Sequence, residues 1–147
     1  MEFRSFIRKA LQYFDIDIHW INRDDSPFLD PAQAMIASVL HNGERSSFLV
    51  ADMLDVIQKH HADGKFYEQD LLDVLAENFK EGGCFVDVGA NVGNHSIFAA
   101  VHLGASRIIA FEPMRLQHAI LSINVLLNEL QGKVEVHKLA LSDRTEF

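Results

Sequence analysis

A glycine turn between an apolar strand and a helix constrains the fold of this chain more than any other feature. Residues 84–88 are apolar apart from Asp87, a turn of sequence GANVG follows at 89–93, and a helical pattern begins at Asn94. Such a turn places main-chain amides at the carboxyl end of a strand, where open α/β sheets bind nucleotides. The chain is therefore predicted to hold a nucleotide-like ligand at this turn.

The residues after the turn continue to alternate between helix and strand. Helical patterns cover residues 94–103 and 116–130, and apolar strands cover residues 107–111 and 134–139. Unbroken apolar strands alternating with helices are typical of a parallel sheet covered on both faces, and right-handed crossovers place its three strands side by side. The predicted fold class is α/β, with a βαβαβ core.

The residues before the turn are predicted to be mostly helical at first. Residues 3–14 carry apolar side chains at helical spacing, and residues 16–20 alternate as a short strand. Asp30 then caps a helix over residues 34–40, which Gly43 ends. A strand at 48–50 and helices at 52–61 and 71–79 lead to the turn. We divide the chain into an N-terminal, mostly helical segment, residues 1–47, and a second domain, residues 48–147.

The side chains at the turn select the class of ligand. A dinucleotide-binding turn has glycine at its first, third and sixth positions, where this chain has Gly89, Asn91 and Asn94. Asp87, two residues before the turn, would repel a diphosphate and attract a cation. S-adenosyl-L-methionine carries an ammonium and a sulfonium group and no phosphate, so it is the predicted cofactor.

The second and third strands supply further candidate residues. Glu112 follows the second strand, at the position from which an acidic residue receives both ribose hydroxyls of a nucleotide. Pro113 removes an amide hydrogen and ends that strand. After the third strand comes Ala140-Leu141-Ser142-Asp143, where a backbone amide and a small side chain border the adenine edge.

These motifs together resemble the FkbM family of methyltransferases. The resemblance covers residues 48–147 and rests on FVDVGANVGNHS (85–96), AFEP (110–113), a helix with a Leu-Asn pair, ALSD (140–143) and the G-x-x-Y-E segment at 64–68. It implies a Rossmann-like class I methyltransferase sheet and transfer of a methyl group from S-adenosyl-L-methionine, most often to a hydroxyl.

The resemblance also implies which residues bind the cofactor. Asp87, Gly89, Ala90, Asn91 and Gly93 shape the methionine side, Glu112 binds the ribose, Ala140 and Leu141 border the adenine, and Glu68 lies at the cofactor. No catalytic base and no metal site is identified. His95 is the histidine placed to face the site. His60 and His61 end a helix, where the helix dipole is expected to favour their charged form.

Family members continue past the ALSD stretch with further strands. The resemblance therefore implies that the sheet is truncated after its third parallel strand, and that this chain is the N-terminal part of the methyltransferase domain. The first strand would then have an unpaired apolar edge, at which we expect a second copy of the chain or another strand-completing partner.

Composition narrows the functional classes. A formal charge of −8 and a pI of about 5.4 disfavour nucleic acid as a partner, so the expected methyl acceptor is a small molecule or a sugar. The single cysteine, Cys84, is expected to pack as a small apolar residue. One cysteine cannot form an intrachain disulfide, which favours a cytoplasmic protein. The sequence has no apolar run long enough to predict a membrane span. Two alternatives stay open: a cofactor-binding or interaction module without catalysis, and an NAD-dependent oxidoreductase, which the missing glycines disfavour.

Overall fold

The computed structural model describes residues 34–141, which form five strands and four helices. The strands are β1 (Met35–His41), β2 (Glu44–Val50), β3 (Cys84–Val88), β4 (Arg107–Phe111) and β5 (Val134–His137); the helices are α1 (Val56–Ala62), α2 (Gln69–Asn78), α3 (Asn94–His102) and α4 (Arg115–Leu127). None of these four helices is long and apolar enough to cross a membrane. The helix predicted at 3–14 and the strand predicted at 16–20 lie outside the described residues.

Residues 35–50 form an antiparallel hairpin, so the predicted helix over residues 34–40 is wrong. β1 pairs with β2 along its whole length, from Met35 opposite Val50 to His41 opposite Glu44. The two turn residues have φ of 50° and 86°, the left-handed angles of a type I′ turn, and their sequence, Asn-Gly, is the strongest short-range hairpin signal. Five of the six residues 35–40 are apolar, and a short segment of this kind before such a turn fits a strand as well as a helix. The division predicted between residues 47 and 48 falls inside β2.

The other three strands form a parallel sheet in the order β3-β4-β5. Asp87 of β3 lies opposite Ala110 of β4, so the glycine turn and the end of β4 share one edge of the sheet. This arrangement confirms the α/β class and the βαβαβ pattern. Among the described residues β3 pairs only with β4, and Cys84 at its start is exposed rather than packed as expected.

Helices α3 and α4 cover the same face of this sheet. Their apolar side chains share one core cluster with Phe85, Ile108 and Val134, one residue from each strand in register. Val86 and Val88 point to the opposite face and are 54% and 60% exposed. Two successive right-handed crossovers in one direction put both helices on the same side. The prediction of a sheet covered on both faces is therefore wrong for residues 34–141.

Asn124 of α4 and Asn128, which directly follows that helix, both bond to the hairpin, and Asn124 also bonds to the glycine turn. The Asn128 side chain accepts a hydrogen bond from Ser47 N at 2.8 Å and donates one to Ser47 O at 2.7 Å. Asn124 accepts from Leu49 N and donates to Val92 O, each at 2.7 Å. Asn124 therefore joins β2 to the glycine turn, whereas the side-chain bonds of Asn128 go to Ser47 and to Asn124 O.

Candidate functional site

The glycine turn is held at the carboxyl ends of β3 and β4. The N–H groups of Gly89 and Ala90 both donate to Phe111 O, at 2.9 and 3.0 Å. Gly93 has a φ of 92°, and a Cβ on it would lie 2.5 Å from Leu121 Cδ1 of α4. Two features therefore require glycine at position 93: the positive backbone angle and the close packing against Leu121.

Asp87 is a buried carboxylate two residues before the turn. Its side chain is held by the first turn of α3, where Ser96 Oγ donates to Asp87 Oδ2 at 2.6 Å. Burial raises the pKa of Asp87, while the Ser96 hydrogen bond and the charge of His95 lower it. Because burial disfavours the ionised form, a cation placed beside this carboxylate would be strongly favoured.

Glu112 connects the turn to the end of β4. It is only 5% exposed, and its Oε2 accepts from Asn91 N at 2.9 Å while its Oε1 accepts from Met114 N at 2.8 Å. Each carboxylate oxygen has a second lone pair. Glu112 can therefore hold the turn in place and still receive two ligand hydroxyls.

The Asn91 side chain has a buried oxygen, Oδ1, that accepts no hydrogen bond from residues 34–141. A buried acceptor without a donor costs about 1–3 kcal/mol, so such atoms point to a missing partner. Residues 87–94 contain no lysine or arginine. The turn thus presents an unused acceptor beside acidic side chains, which suits a ligand that carries N–H groups and positive charge.

The structure brings Glu68 to the helix that follows the turn. Glu68 Oε2 lies 3.4 Å from His95 Nε2, in the first turn of α3. The charge of His95 in turn acts on Asp87. The carboxylate predicted from the G-x-x-Y-E segment and the histidine predicted to face the site are therefore close together.

Ala140 and Leu141 follow the end of β5 and are exposed. The end of β5 is tied to that of β4, because Glu112 N donates to His137 O at 3.0 Å. The carboxyl ends of parallel strands lie at one edge of a sheet, so Ala140 and Leu141 come after β5 at the edge where the glycine turn lies. The positions assigned to methionine, ribose and adenine are thus arranged in strand order.

Asn94 is the site-supporting residue that sequence reasoning did not identify. It is 2% exposed, and its Oδ1 accepts from Tyr67 N and from His61 Nε2, both at 3.0 Å, while its Nδ2 donates to Tyr67 O at 2.9 Å. In the sequence Asn94 is noticeable only because it stands where a dinucleotide-binding turn has its third glycine. The available signal was an amide side chain at the first position of the helix, three residues before the apolar run at 97–101.

His61 is a buried neutral residue and not the charged helix-end residue that was expected. Its ring stacks on Phe48 with centroids 3.7 Å apart, and burial lowers its pKa to about 4. Among residues 34–141 no group of three or more His, Cys, Asp or Glu side chains is arranged to hold a metal ion.

Solved structures that match this chain include three proteins from other organisms. A candidate transferase from Pyrococcus horikoshii matches with a TM-score of 0.50 and 18% identity, over 71% of this chain and 36% of its own. A SAM-dependent O-methyltransferase from Thermotoga maritima has a TM-score of 0.43 and 16% identity, over 69% and 40%. Trm5 from Methanocaldococcus jannaschii, solved with adenosine, has a TM-score of 0.49 and 16% identity, over 94% and 42%.

No family model and no curated protein sequence matches the chain, so the resemblance to the FkbM family stays a prediction. The chain spans less than half the length of each of the three structures. Together with the β3-β4-β5 topology, the similarity to the Pyrococcus structure shows that the chain has an α/β fold of Rossmann-like type.

Proposed function

We propose that this chain carries the cofactor-binding part of an S-adenosyl-L-methionine-dependent methyltransferase. The observation that carries the proposal is the composition of the glycine turn. Buried Asp87 and Glu112 and the unpaired Oδ1 of Asn91 lie at one sheet edge, and residues 87–94 contain no basic side chain. Such a site favours a cationic nucleoside and disfavours a phosphate.

The residues present fit each part of this cofactor. Asp87 and Asn91 Oδ1 would face the ammonium and sulfonium end, and the free lone pairs of Glu112 would receive the ribose hydroxyls. Ala140 and Leu141 would border the adenine. When bound, the cofactor supplies a methyl group on a sulfonium, and the task of these residues is to bind and orient it.

The same geometry argues against an NAD-dependent oxidoreductase. A diphosphate at this turn would approach Asp87, whose burial already opposes its negative charge. The turn also has asparagine at two of the three positions where a dinucleotide site has glycine.

We further propose that the acceptor is a hydroxyl of a small molecule or sugar and that the protein acts in the cytoplasm. Both proposals rest on the sequence resemblance and composition. A second copy of the chain or another strand-completing partner is proposed to cover the edge of β3, where Val86 and Val88 are exposed.

A cofactor-binding module without catalysis is the second candidate. It is favoured by the exposed face of the sheet, where Val86 and Val88 lie. Both candidates bind the cofactor, so binding alone does not separate them. Methyl transfer to any of a panel of small hydroxyl compounds, measured with labelled S-adenosyl-L-methionine, would exclude the second candidate.

Calorimetric titration of the chain with S-adenosylhomocysteine, S-adenosyl-L-methionine and NAD tests the proposal. We expect both adenosyl compounds to bind and NAD not to bind. Asp87→Asn should weaken adenosyl binding about tenfold or more, because it removes the buried charge beside the ligand cation. Asp73→Asn, on the exposed side of α2, is the matched control and should bind like the unmodified chain. Binding of NAD without binding of either adenosyl compound would exclude the methyltransferase proposal.

A further inference from the structure

We infer that Asn94 and His61 are positioning residues of the cofactor site, which fix the segment at 64–68 so that Glu68 faces the glycine turn. The inference rests on the proposed function, since it concerns the same site. Neither the glycine turn nor the G-x-x-Y-E segment predicts that Asn94 and His61 support residues 64–68.

Asn94 fixes Tyr67 through both of its backbone groups. The amide oxygen accepts from Tyr67 N at 3.0 Å, and the amide nitrogen donates to Tyr67 O at 2.9 Å. Two bonds of opposite sense to one residue set its orientation as well as its position. Because Asn94 directly follows Gly93, the segment before α2 is tied to the turn itself rather than to a distant part of the fold.

The next residue, Glu68, has a left-handed backbone with φ of 55° and ψ of 47°. This conformation is unfavourable for a residue other than glycine and persists only where the surroundings impose it. On one side Tyr67 is held by Asn94, and on the other Glu68 O accepts from Leu71 N and Leu72 N in the first turn of α2. The result is a carboxylate 3.4 Å from His95 Nε2, beside the turn.

His61 fixes the orientation of the Asn94 amide. Tyr67 N donates to Asn94 Oδ1, so His61 Nε2, 3.0 Å from the same oxygen, carries its hydrogen and adds a second bond that holds the amide in this orientation. Stacking on Phe48 holds the imidazole ring in place. Since the same oxygen accepts from Tyr67 N, a flipped amide would break the bonds to both residues.

The chain contains a matched control for this arrangement. Asn128 holds both backbone groups of Ser47 with nearly the same distances, 2.8 and 2.7 Å, but Ser47 lies in the middle of β2. Asn94→Ala and Asn128→Ala should therefore lower the free energy of unfolding by similar amounts. Only Asn94→Ala should also release Glu68.

The test is calorimetric binding of S-adenosylhomocysteine to the 147-residue chain and to Asn94→Ala, Asn128→Ala, Glu68→Ala and the double variant at 68 and 94. Circular dichroism sets a temperature at which all are folded. We expect Asn94→Ala to weaken binding about tenfold, which is 1.4 kcal/mol, and Asn128→Ala less than about twofold. Once Glu68 is absent, Asn94→Ala should have little further effect. His61→Phe, which keeps the ring stack but not the donor, should weaken binding in the same direction.

Equal losses in Asn94→Ala and Asn128→Ala, or effects at 68 and 94 that simply add, would show that Asn94 acts only on stability and would overturn the inference. Normal binding by Glu68→Ala would overturn it too, while leaving the proposed function intact. A chain that binds neither adenosyl compound when all its variants are folded would instead refute the proposed function, and this inference with it.

Discussion

Replacement of Glu112 by glutamine separates the backbone contacts of this residue from its proposed contact with the ribose. The sequence assigns Glu112 to the ribose alone, which predicts a loss of ligand binding with little effect on folding. In the structure both carboxylate oxygens also accept backbone N–H groups, from Asn91 at 2.9 Å and Met114 at 2.8 Å. Glutamine keeps one oxygen and turns an NH₂ group toward the other donor, so the substitution should lower stability as well.

The size of the stability loss follows from these contacts. A hydrogen bond to a charged acceptor contributes about 1.5–3 kcal/mol, and one N–H group would be left without a partner at a residue that is only 5% exposed. Relief from burying a charge offsets part of this. We expect the free energy of unfolding to fall by about 2 kcal/mol, and the melting temperature of a chain of this size by roughly 4–8 °C.

Urea denaturation followed by circular dichroism measures the first effect, and titration with S-adenosylhomocysteine the second. Binding should weaken by about 1.5–3 kcal/mol if Glu112 holds the ribose diol. Glu135→Gln is the control, because Glu135 pairs with Arg107 on the exposed face of the sheet and should change neither quantity appreciably. Unchanged stability in Glu112→Gln would refute the role of its backbone contacts, and unchanged affinity in a folded variant would refute the ribose contact.

Three further predictions concern the sheet and the turn. Because burial raises the pKa of Asp87 above the ordinary value of an aspartate, ionised Asp87 lowers stability at neutral pH, and acidification to about pH 4, near the pKa of an aspartate in the unfolded chain, removes most of that cost. Asp87→Asn should thus exceed the unmodified chain in unfolding free energy at pH 7, with the difference shrinking as pH falls; a less stable variant at pH 7 would contradict this. Gly93→Ala should destabilise more than Gly89→Ala in thermal denaturation, since both have positive φ but only at Gly93 would a Cβ meet Leu121, at 2.5 Å; equal losses would mean that Leu121 moves aside freely. The chain should self-associate in light scattering through the exposed edge and face of β3, and Val86→Lys should reduce that association; a monomer at all concentrations would count against an open edge.

Much of the α/β part could be predicted from the sequence because its signals are local. Apolar runs, helical periodicity and the glycine turn each depend on neighbouring residues, and they placed β3, α3, β4, α4 and β5 to within a few residues. Asp87 and Glu112 followed by the same logic, since a parallel strand places the residue at its carboxyl end at one known edge.

The hairpin shows where local patterns are ambiguous. The mostly apolar segment at 35–40 fits either a helix or a strand. The partner strand β2 and the turn at Asn42 and Gly43 decide in favour of a strand. Composition likewise could not predict which face of the sheet the helices cover. Val86 and Val88 are as apolar as buried strand residues, yet both helices lie on the other face.

For residues 84–137 the sequence by itself determined the order of strands and helices and the acidic character of the turn. It did not determine β1, where a helix was predicted. Only the tertiary structure decided which polar side chains are structural. Asn94, Asn124 and Asn128 look like ordinary surface amides in the sequence, but each is fully or partly buried and satisfies backbone groups of a distant segment. The physical reason is that a buried amide is stable only with its hydrogen bonds made, and its partners lie 27 to 81 residues away in the chain. That separation leaves no periodic trace in the sequence.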